Sequence, residues 1–171
     1  MNQTSNKVTS KDYFKAMQIV HLAMIAGLVL FMLVSAFFVN GLIFDQTDGD
    51  IMNIFMVVVP LLIFGGLFGS TVLVKNKLNV AKQKPNLLEK MSYYRSALII
   101  NFAMLEGPSF FAIVAYMLTG NLLFLGMAGL LLLVFFTIRP TTEKAIRDLE
   151  LSQDEIKCLN DPNEFISETQ F

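Results

Sequence analysis

The sequence is short of the residues on which most catalytic and metal sites depend. Its 171 residues contain one cysteine, Cys158, and one histidine, His21. A single cysteine excludes an intramolecular disulfide and a cysteine-based metal cluster. No Gly-rich phosphate loop, pair of catalytic carboxylates or nucleophile elbow occurs either. The sequence therefore predicts no catalytic residue, no metal and no cofactor, and an ordinary hydrolase or kinase is not expected.

Charged residues are also scarce, at 16% of the chain, whereas 54% of the residues are hydrophobic. Soluble domains average about 25% charged residues, so this composition indicates that lipid is the solvent. Four apolar segments reach the roughly 17 to 25 residues that a helix needs to cross the hydrocarbon: residues 16–39, 51–74, 96–118 and 122–138. The predicted fold is an all-α, polytopic membrane protein with four transmembrane helices. Its expected partner is the lipid bilayer, and no nucleic acid is expected.

The basic residues predict the orientation, because they favour the cytoplasmic side of a membrane. They fall before the first segment, between the second and third, and after the fourth: Lys7, Lys11 and Lys15; Lys75, Lys77, Lys82, Lys84, Lys90 and Arg95; Arg139, Lys144, Arg147 and Lys157. The connection between the first two segments carries only acidic charges: Asp45, Asp48 and Asp50. Both termini are therefore predicted to be cytoplasmic, in the plasma (inner) membrane. Residues 1–15 are a leader, 16–138 the transmembrane domain and 139–171 a cytoplasmic helical tail.

The sequence also predicts the local structure of one turn and of the tail. The turn Thr119-Gly120-Asn121 is so short that the third and fourth segments must form an antiparallel hairpin, with Gly120 supplying the permissive backbone. In the tail, Ser152 followed by Glu155 matches a capping box at the start of a second short helix. We expect the tail to pack against the basic loop, and a dedicated docking motif is the alternative. Cys158 is predicted to be a reduced cytoplasmic thiol.

Glu106 lies near the middle of the third segment, where an ionisable group costs several kcal/mol unless it is protonated, paired or facing water. Pro108 lacks a backbone N–H and clashes with the carbonyl of Met104, so the helix is expected to loosen beside the carboxyl. Gly107 allows another helix, a water or an ion to come close. Glu106 is therefore the candidate ion-binding residue. His21 is predicted to be a hydrogen-bonded histidine near the interface, with a proton relay as the alternative.

The second segment places small and hydroxyl-bearing residues at a similar depth. Counting inward at about 1.5 Å per residue puts Gly65 and Gly66 within one turn of Glu106. This predicts a close approach of the two helices at the carboxyl, and packing alone is the alternative. The other supporting residues are Gly69, Ser70, Thr71 and Asn101, with Ser109 and Tyr116 as further candidate hydrogen-bond partners.

A Gly-rich helix, a polar basic loop and a helix with a midplane carboxyl resemble, in that order, the hairpin of the rotary ATP synthase c-subunit (proteolipid). The likeness runs through Lys84-Pro85-Asn86-Leu87, Ser92-Tyr93-Tyr94, Asn101-Phe102-Ala103-Met104-Leu105-Glu106 and the aromatic-rich stretch 110–118. The resemblance implies that Glu106 carries a transported proton or sodium ion, that Lys84-Pro85 belongs to the polar loop, and that Gly65, Gly66 and Gly69 form the Gly-rich face. The first and fourth segments and the tail have no counterpart in that hairpin.

Two functions from different classes remain open. In the first, a small and oligomeric membrane protein translocates or senses protons or sodium ions at Glu106. In the second, a non-catalytic scaffold or accessory subunit uses a protonated Glu106 as a hydrogen-bonding group between helices. A homo-oligomer or a subunit of a membrane complex is the expected assembly in both. The Glu106→Gln variant separates them, because a neutral isostere abolishes ion exchange and largely preserves a structural hydrogen bond.

Overall fold

The computed structural model describes residues 9–40, 49–162, 164 and 166. Within these ranges the chain forms six α-helices and no strand: α1 Ser10–Asn40, α2 Gly49–Lys82, α3 Leu87–Thr119, α4 Leu122–Thr137, α5 Thr142–Leu149 and α6 Gln153–Asn160. Lys7, Asp45 and Asp48, which contribute to the predicted charge map, lie outside the described residues. The all-helical prediction is therefore confirmed for the described part of the chain.

Three helices, α1, α2 and α3, are long and apolar enough to cross a bilayer. The shorter α4 is apolar and has 16 residues, and it forms with α5 a pair of helices bent by 81°. The chain thus has three helices that meet the requirements of a span, or four if the bent pair is counted as one. Large apolar side chains such as Phe37, Phe64 and Phe68 cover the outer surface, which suits contact with lipid.

Helix α3 is the centre of the bundle. The helices α1, α2 and α4 all pack against it, and α2 meets α4 at one end, where the rings of Phe55 and Phe124 lie 6.2 Å apart. Its fully buried side chains include Phe102, Leu105 and Ile113. Because α3 is surrounded on three sides, only one face of it remains open to the outside, and Ala103, Gly107 and other exposed residues mark that face.

The predicted tight turn between α3 and α4 is confirmed. Gly120 closes α3 in the left-handed conformation, with φ 66° and its N–H donated to the Tyr116 carbonyl, a conformation that glycine adopts without steric cost. Asn121 then caps α4 by accepting the Leu123 N–H. At the other end of α3, Asn86 accepts the Glu89 N–H as an N-cap. The basic connection is mostly helical, since α2 extends to Lys82 and α3 starts at Leu87.

The tail packs against the end of the bundle where α1 starts and α2 meets α3. Helix α6 starts with the capping box that the sequence predicts, formed by Ser152 and Glu155. The Ser10 hydroxyl donates to the Leu159 carbonyl at 2.6 Å, and Lys90 Nζ lies 2.7 Å from Glu155 Oε1. These contacts confirm packing of the tail against the basic connection.

The Lys90–Glu155 ion pair is largely buried, with side-chain exposures of 13% and 12%. Burial alone would raise the pKa of Glu155. The hydrogen bonds from Lys90 and from the Ser152 backbone, together with the charge of Lys90, outweigh it and hold that pKa below its ordinary value. The charged form of Glu155 therefore fastens α6 to the start of α3.

Candidate functional site

Gly66 of α2 lies in close contact with α3. A Cβ added there would be 2.5 Å from the Met104 carbonyl oxygen and 2.9 Å from Pro108 Cγ. Pro108 has no N–H to donate to the Met104 carbonyl, so this oxygen lacks its usual helical donor. The Cα–H of a glycine can come close to such an oxygen as a weak donor. Gly66 thus packs against Met104 and Pro108 of α3. This contact lies within about one helical turn of Glu106, the depth that the sequence predicts.

Glu106, however, does not face α2. It is two residues away from both Met104 and Pro108, and at about 100° per residue its side chain leaves α3 roughly 160° away from their common stripe. The predicted approach of the α2 glycines to the carboxyl is therefore not what the structure has. The two features share one depth in the bundle and lie on opposite sides of α3.

Two aromatic contacts fix the side on which Glu106 lies. Phe102, one turn before it, contacts His21 of α1 with ring centroids 5.1 Å apart. Phe110, one turn after it, contacts Phe31 of α1 at 5.3 Å. Glu106 is therefore on the α1 flank of α3, at the border of the outward face.

The surroundings of Glu106 are small and apolar. Ala103 and Gly107 are exposed on the same helix, and a Cβ at Gly107 would meet nothing within 4 Å. Gly27 of α1 is also exposed, with open space where a side chain would be, and the two ring contacts place it level with Glu106. Sequence reasoning missed Gly27, because only the register of α1 against α3 brings it here. The carboxyl therefore lies beside small residues that provide little side-chain cover.

The Glu106 side chain is half-buried. Among the residues that the structure describes, none forms a hydrogen bond or ion pair with its carboxyl. The hydroxyls proposed as partners bond to carbonyls of their own helices instead: Ser109 to Leu105 at 2.8 Å, and Ser70 and Thr71 to Leu67 at 3.0 and 2.9 Å. Glu106 thus presents a carboxyl without a partner to whatever covers this surface.

The remaining predicted residues lie elsewhere. Asn101, Ser70 and Thr71 line a cavity between α2, α3 and α4, away from the carboxyl. Gly69 packs on the flexible end of Met104, whereas Gly65 is exposed, with open space where a side chain would be. The structure thus places Gly66, Gly69 and Pro108 at the contact between α2 and α3. Glu106 and Gly107 lie outside that contact.

His21 is buried between the rings of Phe102 and Phe135. Its Nε2 lies 3.0 Å from the Phe135 carbonyl oxygen, so it links α1 to the end of α4. This agrees with the prediction of a hydrogen-bonded histidine, at a more buried position than expected.

The sequence did not predict a second polar feature, the Tyr94 hydroxyl. It is buried and has no hydrogen-bond partner among the described residues. No sequence signal distinguishes it from its neighbour Tyr93, because burial of the hydroxyl depends on how α4 and α5 cover α3. Among the described residues, no group of three or more His, Cys, Asp or Glu side chains is placed to hold a metal ion.

Comparison with known proteins gives no relative from which a role can be carried over. No protein-family model, no curated protein and no solved structure matches this chain.

Proposed function

We propose that this chain is a non-catalytic, multi-pass membrane protein that self-associates through the outward face of α3. The observation that carries the proposal is the half-buried Glu106 carboxyl, which lacks a partner within the described chain and lies beside the exposed small residues Ala103 and Gly107. In lipid, helices associate through close packing at small residues and through hydrogen bonds between polar side chains. The surface around Glu106 offers both.

A second copy of the chain is the occupant that this surface fits. A neutral carboxyl has one O–H donor and retains acceptor capacity, so two Glu106 side chains complement each other across a two-fold axis. The spacing Ala103-x-x-x-Gly107 is a small-xxx-small pattern, which allows two identical helices to approach closely. Self-pairing also removes the cost of leaving a carboxyl unsatisfied in hydrocarbon.

The proposal includes a topology with four spans and both termini in the cytoplasm of the plasma (inner) membrane. At about 1.5 Å per residue, the 16 residues of α4 cover roughly 24 Å, near the short limit for a span. The basic residues at the ends of α2, α3 and α4 favour the cytoplasmic side. Helices α5 and α6 then lie at the cytoplasmic surface.

Ion exchange at Glu106 is the second candidate function. It is favoured by the partial exposure of the carboxyl. In this case Glu106 releases and takes up a proton or sodium ion from outside the single chain, as the resemblance to the c-subunit hairpin implies. The two candidates differ in whether Glu106 must ionise.

The test is the monomer–dimer equilibrium in lipid vesicles, measured by fluorescence energy transfer between singly labelled chains. Glu106→Leu removes the hydrogen bonds of the pair, which are worth about 1–2 kcal/mol in a membrane, and should weaken association roughly 5- to 30-fold. Glu106→Gln keeps a donor and an acceptor and should associate within a few-fold of the original chain. Gly65→Leu, on an exposed glycine of α2, serves as the matched control for Gly107→Leu, which should also weaken association.

Unchanged association of Glu106→Leu would contradict the proposal. Proton flux in vesicles separates the second candidate: flux that is present in the original chain and lost in Glu106→Gln, with dimers intact, would support ion exchange. Equal and negligible flux in both chains would leave self-association as the role of the carboxyl.

A further inference from the structure

A cleft runs between α2 and α4, with α3 as its floor. Helices α2 and α4 each pack on α3 and contact each other at one end, where the rings of Phe55 and Phe124 lie 6.2 Å apart. The cleft lies between their other ends. Its cavity has a volume of about 560 Å³ and apolar walls that include Leu67, Leu105 and Val134. Glu106 lies on another side of α3 and does not line this cavity, so the cleft is a separate site.

The end of the cleft nearest α5 is polar and positively charged. Lys75, Lys82, Arg147 and Asp148 line it. A smaller adjoining cavity of about 230 Å³ shares Arg147 and Asp148 and adds Arg139 and Lys144. Five basic residues thus meet one acidic residue in the lining.

Several of these cations already have internal contacts, which hold them in position. Lys82 pairs with Glu150 at 2.6 Å, Lys144 donates to the Thr137 carbonyl at 2.7 Å, and Arg147 Nε lies 3.4 Å from Asp148. Within the described residues, Lys75 and Arg139 form no ion pair. The five basic residues face only two carboxylates, Asp148 and Glu150, so the net charge of this region is positive.

Tyr94 provides an independent sign of a ligand. This side chain is 2% exposed and lines the smaller cavity together with Arg147 and Asp148. Its hydroxyl is the one buried side-chain N or O atom without a hydrogen-bond partner in the described part of the chain. A buried donor left unsatisfied destabilises the fold, so an acceptor brought into this cavity would relieve that cost.

We infer that the cleft and its adjoining cavity bind an anionic phospholipid, with its phosphate among Tyr94, Arg139 and Arg147 and an acyl chain between α2 and α4. A phosphate oxygen accepts the Tyr94 O–H and the guanidinium donors of Arg147, which suit phosphate geometry. Basic pockets between transmembrane helices on the cytoplasmic side bind such headgroups. The open apolar cleft selects a lipid over free phosphate. This site does not depend on self-association through Glu106.

The test is lipid binding by the purified full-length chain in detergent micelles, measured by native mass spectrometry. Dioleoylphosphatidylglycerol should bind at least several-fold more tightly than the zwitterionic dioleoylphosphatidylcholine. Tyr94→Phe removes one hydrogen bond to a charged group and should weaken phosphatidylglycerol binding about tenfold or more. Tyr93→Phe, on the neighbouring and partly exposed ring, is the matched control and should bind as the original chain does.

A second readout separates binding from folding. Without added lipid, Tyr94→Phe should be at least as stable as the original chain, because it deletes an unpartnered buried hydroxyl. Arg147→Gln should also weaken binding, whereas Lys157→Gln, on α6 and outside the cavity, should not. Equal binding by Tyr94→Phe and the original chain would overturn the inference. So would displacement of the lipid by millimolar inorganic phosphate, which would identify free phosphate as the ligand.

Discussion

Substituting alanine for Gly66 tests the contact that fixes α2 against α3. The new Cβ would lie 2.5 Å from the Met104 carbonyl oxygen and 2.9 Å from Pro108 Cγ, whereas ordinary contact begins at about 3.4 Å. The backbone and ring atoms of α3 cannot rotate away, so α2 must move outward by roughly 0.9 Å. Overpacking of this kind costs about 1–3 kcal/mol.

Two other glycines of α2 supply matched controls. Gly65→Ala places its Cβ in open space and reports only the gain in helix propensity, about 1 kcal/mol. Gly69→Ala meets the Met104 Cε at 2.6 Å, but that atom is the end of a flexible side chain, so the cost should be small. The expected order of stability is Gly65→Ala, then Gly69→Ala, then Gly66→Ala.

The assay measures the apparent Tm in detergent micelles at a fixed heating rate. The signal is the fraction of the protein that stays folded and soluble at each temperature. A cost of 1–3 kcal/mol corresponds to roughly 2–12 °C for a chain of this size, so Gly66→Ala should melt that far below Gly65→Ala. Equal Tm values for these two variants would refute the close approach at Pro108.

Two further predictions concern the ends of the helices. Glu155 has a lowered pKa in the folded chain, so its stabilising effect should be complete above about pH 4.3 and be lost as pH falls through the folded value; hydrogen exchange of residues 153–160 should then rise. Glu155→Gln should produce this rise at neutral pH, at a cost of about 1.5–3 kcal/mol, and unchanged exchange would contradict the role of the Lys90 pair. His21→Leu should cost only about 0.5–1.5 kcal/mol in thermal stability, because the Phe135 carbonyl also accepts the Ile138 N–H; a much larger loss would indicate a further role for His21.

Local features of the fold were accessible from the sequence because each depends on neighbouring residues. The turn at Gly120 needs one residue of positive φ, and Ser152 and Glu155 satisfy each other's backbone within four positions. Apolar length likewise predicts the long helices. Segment length alone does not fix the number of spans, since α4 has 16 residues and meets α5 at a sharp bend.

The arrangement around Glu106 was not accessible in the same way. Depth along a helix follows from counting residues, and it places Gly66 level with the carboxyl. The side of the helix follows from which neighbours α3 has, and α2, α4 and α1 each occupy a different flank. Gly66 therefore meets Met104 and Pro108, while Glu106 faces outward beside α1. Tyr94 was missed for the same reason, because its burial depends on the cover formed by other helices.

The most direct test of self-association is disulfide cross-linking in native membranes, with single cysteines introduced into a Cys158→Ser background. Gly107, Gly65 and Gly126 are all exposed, each with open space for a side chain, and they lie on α3, α2 and α4. A disulfide requires Cα atoms within about 7 Å, which the proposed pairing of α3 with α3 provides. Pairing of α3 with α3 should give a cross-linked dimer for Gly107→Cys and little cross-linking for the other two variants. Cross-linking of Gly107→Cys no stronger than that of Gly65→Cys and Gly126→Cys would contradict it.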